Sequence, residues 1–387
     1  MLIDPRLYLA IDNCFASKRW SRPEDWASLV KSMGIRCIEA SADNECDPLY
    51  TPAGYQQEWS DAVRRACLEN DVKVVNCYSG HGSYSTLGLA HYNKRVREHM
   101  AENWLKPFFQ MAAGLEAGTG FFCHAFPHYI LQNKTDYDSE VQKLCALLKG
   151  LNEYCRSIGG KTPGLEQMYA PHQYPWRIKD CFDVIKSTGM YITLDTGHQT
   201  GQYRYMRPDA EALMKVFEHG ANDIWLGADK ARAMMQLARS GDMSKNTAVS
   251  AILEDISMNP HLFCEPEDCD LYAWVAKLGC YSPIIHLQQT NGRQSSHRGF
   301  VEPIAKDDIV HPAKILKALA ESYRRPDIEN VKKAGEIYLT LELFFPTSAY
   351  YEEIISAVKA SIAVWRKAVP HDGMLLSETP ALTRNMD

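Results

Sequence analysis

Short runs of β-branched and aromatic residues alternate with longer stretches of helical period along most of the chain. That pattern predicts parallel strands joined by helices. The first strand reads Leu7-Tyr8-Leu9-Ala10-Ile11. A helix follows, opened by Pro23-Glu24, with Trp26, Leu29, Val30 and Met33 on one face; Gly34 ends it where a left-handed residue is needed. Residues 36–40 form the second strand, and Trp59, Ala62, Val63 and Ala66 mark the stripe of its helix. The third strand is 72–76, followed by a helical region from about 92 to 114. The fourth is 119–124, and Val141, Leu144, Leu148 and Leu151 repeat at helical spacing after it, over about 140–158. Strands five and six are 164–168 and 191–195.

There the rhythm breaks. The next strand, Pro283-Ile284-Ile285-His286-Leu287, begins about ninety residues later, whereas a barrel unit needs roughly 30. A helix over 270–278 feeds it, so about 202–264 is an insertion, with helical pieces at 229–240 and 247–257. The eighth strand is 337–342, and a closing helix runs from 348 to about 369. Eight such units close into a barrel or form an open doubly wound sheet. The open sheet calls for a glycine-rich phosphate turn after its first strand, where this chain has Asp12-Asn13-Cys14-Phe15. The expected fold is therefore a (β/α)₈ TIM barrel, one domain over 1–387 with a helical insertion after strand 6.

Composition agrees with a large soluble barrel: 387 residues, 45% hydrophobic and 23% charged. The net charge of −6 and the lack of a basic run speak against nucleic acid as a partner. No apolar stretch approaches membrane-span length, and the first residues lack a charged segment followed by an apolar one, so a cytoplasmic protein off the membrane is expected. The 12 cysteines show no CxxC pairing, and Cys37 and Cys77 sit in apolar runs. They read as reduced core residues.

Four ionisable residues close four strands: Glu166, Asp195, His286 and Glu342. Strand ends of a barrel open on one face, where active sites of this fold are built. Three carboxylates meeting there repel one another unless a cation holds them ionised. With one imidazole they suit a divalent metal of intermediate hardness, such as Mn²⁺, Co²⁺ or Mg²⁺. Each alone has a plain alternative as a helix cap or ion-pair partner. The joint pattern, with apolar residues before every one, carries more weight. His81, His124 and His128 also follow strand ends and read either as pocket residues or as hydrogen-bonded loop histidines.

The series Leu165-Glu166, Leu194-Asp195-Thr196-Gly197-His198, Ile285-His286-Leu287 and Leu341-Glu342 resembles the xylose-isomerase-like TIM barrel superfamily, and within it the ketose 3-epimerases and related sugar isomerases. The resemblance runs from the first strand through Glu342 and leaves out the insertion. It implies one bound divalent ion, Mn²⁺ first with Co²⁺ or Mg²⁺ as alternatives, held by Glu166, Asp195, His286 and Glu342. It further implies isomerisation or epimerisation of a small sugar, sugar phosphate or sugar-derived substrate through a metal-stabilised enediolate, with Glu166 and Glu342 as catalytic residues moving the proton. His198 matches a residue that hydrogen-bonds substrate oxygens. Arg293, seven residues after His286, resembles the arginine that family members carry after the metal histidine. His172 stands where some epimerases have a substrate-binding glutamate, a departure that allows a different substrate.

Other functions remain in view. Dehydratases and decarboxylases of oxo-sugars or sugar acids share such a metal face, and a non-catalytic sugar-binding barrel is the plainest alternative. A three-zinc abasic-site endonuclease would want more histidines and a basic rim. An amidohydrolase would need HxH on strand one, absent from Ile11-Asp12-Asn13-Cys14. Lys18, Arg19, Arg293, His297 and Arg298 would serve an anionic substrate or stand as solvated loop charges. A homo-oligomer is expected. The insertion is expected to pack on the barrel or on a second chain, with Tyr203, Arg204 and Arg207 facing the pocket.

Overall fold

The computed structural model describes residues 3–41, 45–84, 86–219 and 224–383, so residues 220–223 of the expected insertion lie outside it. Eight strands run parallel: β1 (Arg6–Asp12), β2 (Cys37–Ser41), β3 (Lys73–Ser79), β4 (Gly118–Phe121), β5 (Gly164–Glu166), β6 (Tyr191–Asp195), β7 (Ile284–Leu287) and β8 (Glu336–Leu341). Each pairs with the next, and β1 pairs with both β8 and β2, which closes the barrel. The (β/α)₈ expectation holds.

Helices fill the spaces between strands for the reasons read from the sequence. Pro23–Ser32 starts on a proline with Glu24 and Asp25 in its first turn, which complements the helix dipole. It stops at Gly34, whose φ is +80°, and Ile35 N–H closes the end by donating to Val30 O at 3.3 Å. Trp26, Val30, Trp59 and Val63 are buried in the layer between helices and strands. The helical region after β3 is Lys94–Met100 and Lys106–Gly114, joined by a wide π turn over Ala101–Leu105.

Strand limits differ from the sequence reading at the C-terminal ends of the strands. β4 ends at Phe121 because the chain bends away, with His124 at φ +71°. β5 ends at Glu166, after which Met168 N–H turns to Pro175 O. A ninth strand, β9 (Met374–Leu375), went unseen in the sequence because it is two residues long. It runs antiparallel to Arg6 and Leu7 of β1, where β2 has not yet begun, and so covers an otherwise open edge.

Between β6 and the helix Leu271–Leu278 the chain forms helices Ala210–His219, Asp229–Ser240 and Lys245–Met258. This segment packs on the barrel. His261 Nε2 lies 3.0 Å from Leu131 O, and Arg177 Nη1 donates to Pro260 O at 2.9 Å and Phe263 O at 3.3 Å. All cysteines are free thiols. No helix of the described residues is long and apolar enough to cross a membrane.

Candidate active site at the strand ends

Register brings the four expected ligands together. Asp195 pairs directly with His286 across β6 and β7. Glu166 closes β5, and Glu342 follows the last residue of β8 with its N–H on Leu287 O at 3.1 Å. One ligand atom from each of Glu166, Asp195, His286 and Glu342 lies within 4.8 Å of the others, and all four residues are buried.

The supports of this quartet were not read from the sequence. His286 Nε2 lies 2.6 Å from Glu39 Oε1, while its Nδ1 lies 3.3 Å from Glu166 Oε1 and 3.5 Å from Glu342 Oε2. With Nε2–H donated to Glu39, Nδ1 is the atom presented to the carboxylates, the usual arrangement of a metal-binding imidazole. Glu39 is fixed in turn by Asn76 Nδ2 at 2.6 Å. Asp12 stands beside it in register on β1, fully buried, with Oδ1 accepting from Cys14 N–H and Oδ2 without a partner. The signal for both was present: each carboxylate lies at or near the end of an apolar strand. Tyr78, at the end of β3, donates its hydroxyl to Glu166 Oε2.

The electrostatics follow from five buried carboxylates around three histidines. Burial pushes the Asp195 carboxyl up, but the charges of His198, His297 and His286 outweigh it and hold the group down at about 2. Glu166 is lowered in the same way, burial opposing and His286 and His198 prevailing. Burial drives Asp12 well above the carboxylate range, and Glu39 and Glu342 add to it. His286 is raised well above its ordinary value, since Glu342, Glu39 and Glu166 outweigh its burial. The cluster demands positive charge.

A cavity of about 490 Å³ opens over the quartet. Glu166, Glu342, His81, His198 and His297 line it, with Tyr78, Tyr84, Phe122, Tyr169 and Phe344 as aromatic wall. His198 Nδ1 lies 2.8 Å from Gln167 O, which leaves Nε2 for the cavity. His81 Nε2 lies 3.5 Å from Glu342 Oε1, and His297 Nδ1 lies 3.2 Å from Glu342 Oε2. His297 comes from the loop after β7, folded back by its N–H on Gln288 Oε1 at 2.6 Å.

Several expected pocket residues are not among those lining the cavity. Arg293 is exposed on the same loop, its N–H on Asn291 Oδ1. His172 uses its carbonyl to accept Phe126 N–H at 2.7 Å, and its imidazole is partly buried elsewhere. His124 is buried behind the wall, its Nε2 2.7 Å from Ser83 Oγ and its ring against Phe122. His128 faces Asp229 at 3.9 Å. Tyr203, Arg204 and Arg207 also stand off: Arg207 faces Glu265 at 3.9 Å, and the Arg204 guanidinium lies over the Tyr203 ring.

No protein-family model matches the chain. A curated relative, the D-erythrulose 1-phosphate 3-epimerase of Brucella abortus (strain 2308), is 29% identical over 121 residues, which make up 31% of this chain and 35% of that protein. The chain thus spans about a third of the length of the curated relative it matches. Among solved structures, a protein of Rhodospirillum rubrum ATCC 11170 provisionally assigned as a xylose isomerase is similar at a TM-score of 0.66 and 17% identity, over 93% of this chain and 98% of its own. D-psicose 3-epimerase from Clostridium cellulolyticum H10 follows at 0.55 and 11%, over 93% and 98%. An L-ribulose 3-epimerase gives 0.51 and 13%, over 92% of each chain. The closed eight-stranded architecture and these neighbours together show that the chain shares the (β/α)₈ barrel fold of these proteins.

Proposed function

We propose that this chain is a divalent-metal-dependent isomerase or epimerase of a small sugar or sugar derivative. The observation that carries the reading is the buried quartet Glu166, Asp195, His286 and Glu342, converging within 4.8 Å at the catalytic end of a barrel. Glu342 Oε2 is buried, with only the imidazoles of His297 and His286 near it at 3.2 and 3.5 Å, and three carboxylates with one imidazole form a donor set that fits one ion of the Mn²⁺, Co²⁺ or Mg²⁺ kind. Mn²⁺ is the first choice. The similarity to a 3-epimerase supports the reaction class.

When bound, the ion would supply charge neutralisation and polarisation of a substrate carbonyl, which acidifies the neighbouring C–H. The protein's own groups then do the rest. Glu166 and Glu342 both line the cavity and reach a substrate from different strands, so one removes the proton and the other returns it. The Tyr78 hydroxyl on Glu166 Oε2 orients that carboxylate, leaving Oε1 toward the quartet. His198 and His297 are placed to bind substrate oxygens and to hold negative charge that develops on them. Return to the opposite face gives epimerisation, and return to the adjacent carbon gives aldose–ketose exchange.

The test is proton exchange of ketoses in deuterated water, followed by NMR, with and without chelator. Exchange is expected to stop on chelation and to be abolished in Glu166→Gln and Glu342→Gln. Full exchange in the metal-free protein, or normal exchange in either variant, sinks the reading.

A further inference from the structure

We infer that the cavity is built for an uncharged two-ring saccharide, with a keto sugar at the carboxylates and a glycosyl ring against the aromatic wall. This rests on the isomerase reading for which end reacts.

The charges of the wall favour a neutral ligand. Among the described residues that line the cavity there is no lysine or arginine. The cations of the surrounding loops are engaged elsewhere or stand outside it: Arg19 donates to the carbonyls of Pro346, Thr347 and Ala349, and Arg298 holds Asp308 at 2.7 Å. Five carboxylates meanwhile lie buried at or beneath the floor, from Asp12, Glu39, Glu166, Asp195 and Glu342. A phosphate or carboxylate on the substrate would find no lysine or arginine at the wall, and the histidines there, His198 and His297, already face Glu166 and Glu342.

The cavity is larger than one sugar ring. At interior packing density a hexose needs roughly 230 Å³, about half of the 490 Å³ present. The remaining space has an aromatic face. Tyr84 and Phe122 lie with ring centroids 5.7 Å apart, and the Tyr84 and Tyr169 hydroxyls are hydrogen-bonded to each other. Across the floor Phe344 stacks on His297 at 4.2 Å. Tyr84 is 46% exposed and Phe344 41% exposed, so rigid aromatic faces stand open to a ligand. Flat faces with a few hydroxyls at their edges match the alternating apolar and polar surfaces of a sugar ring.

The test compares D-fructose, D-fructose 6-phosphate and lactulose, a galactosyl-fructose, on the full chain supplied with Mn²⁺. Binding is read by calorimetry and proton exchange by NMR in deuterated water. Lactulose is expected to bind at least tenfold more tightly than fructose, and fructose 6-phosphate at least tenfold more weakly. Tyr84→Ala should bring the lactulose-to-fructose ratio close to one, whereas Tyr84→Phe, which keeps the ring, should preserve most of it. Equal or tighter binding of the phosphate overturns the inference, and so does a lactulose ratio near one in the unaltered protein. The expected ranking without any proton exchange supports this ligand class while removing the isomerase reading. Exchange confined to the phosphorylated ketose does the reverse.

Discussion

The side-chain amide of Gln288 donates to both carboxylate oxygens of Asp195, at 2.8 and 2.9 Å, while its Oε1 accepts the backbone N–H groups of Ser296 and His297. One side chain thus fixes the Asp195 carboxylate and folds the β7 loop over the cavity. Gln288→Ala should lower Mn²⁺ affinity by about 10- to 100-fold although every ligand remains, because outer partners set ligand orientation. Equilibrium metal titration of the variant checks this; an unchanged affinity would falsify the orienting role.

Arg177 joins the segment after β6 to the barrel. Its guanidinium makes paired bonds with Asp180, at 3.0 and 2.7 Å, and also holds the Pro260 and Phe263 carbonyls. Both side chains of the pair are largely buried. Arg177→Met leaves the Asp180 charge buried and unpaired, a loss of about 3 kcal/mol in denaturant unfolding. The double variant Arg177→Met/Asp180→Leu should recover most of it. A single variant as stable as the parent would show that the pair holds nothing together.

Gly88 lies directly under His124. A Cβ on Gly88 would stand 1.7 Å from His124 Nδ1, and its φ of +47° disfavours any side chain. Gly88→Ala should therefore cost about 3 kcal/mol through overpacking and backbone strain. Because His124 packs on Phe122 at 4.5 Å, saccharide affinity should fall as well. Thermal unfolding and binding of the same variant read the two effects; a loss of neither would mean that His124 moves aside freely.

Glu45 gives the fold a further dependence on pH. Burial raises its carboxyl from 4.5 to about 7, against the pull of hydrogen bonds from Trp59 and Trp26. The folded value lies above the unfolded one, so the contribution is full below about pH 4.5 and is lost as pH rises toward 7. Glu45→Gln should remove this loss, becoming more stable relative to the parent by about 3 kcal/mol between pH 4 and 8. Parallel stability–pH curves for parent and variant would contradict it.

The barrel and the meeting of Glu166, Asp195, His286 and Glu342 were legible because each of the four closes an apolar strand, and strand ends must meet on one rim. Glu39 and Asp12 carry the same signature but belong to strands with no partner motif, so nothing in the sequence joined them to His286. His297 could not be placed because its approach depends on Gln288 drawing the loop back, a contact between residues nine apart with no periodicity to reveal it. Arg293 sits at the expected spacing after His286, yet that same fold of the loop leaves it outside the cavity. The aromatic wall comes from bends after β3, β4, β5 and β8, where side-chain direction is set by tertiary packing rather than by local pattern.

The pairing of β9 with the first residues of β1 has a consequence for synthesis. Before β8 arrives, β1 has only the short contact Ala10–Cys37, Ile11–Ile38 and Asp12–Glu39 with β2; its long partner begins at Glu336 and its second edge at Met374. A nascent chain therefore carries an incomplete sheet, with an unfilled edge on each side of the future seam, until residues 336–341 and 374–375 have been made. Those edges are adhesive toward other nascent copies. Protection by a chaperone matters most during that interval, and a chain cut short before residue 336 would leave the seam open permanently.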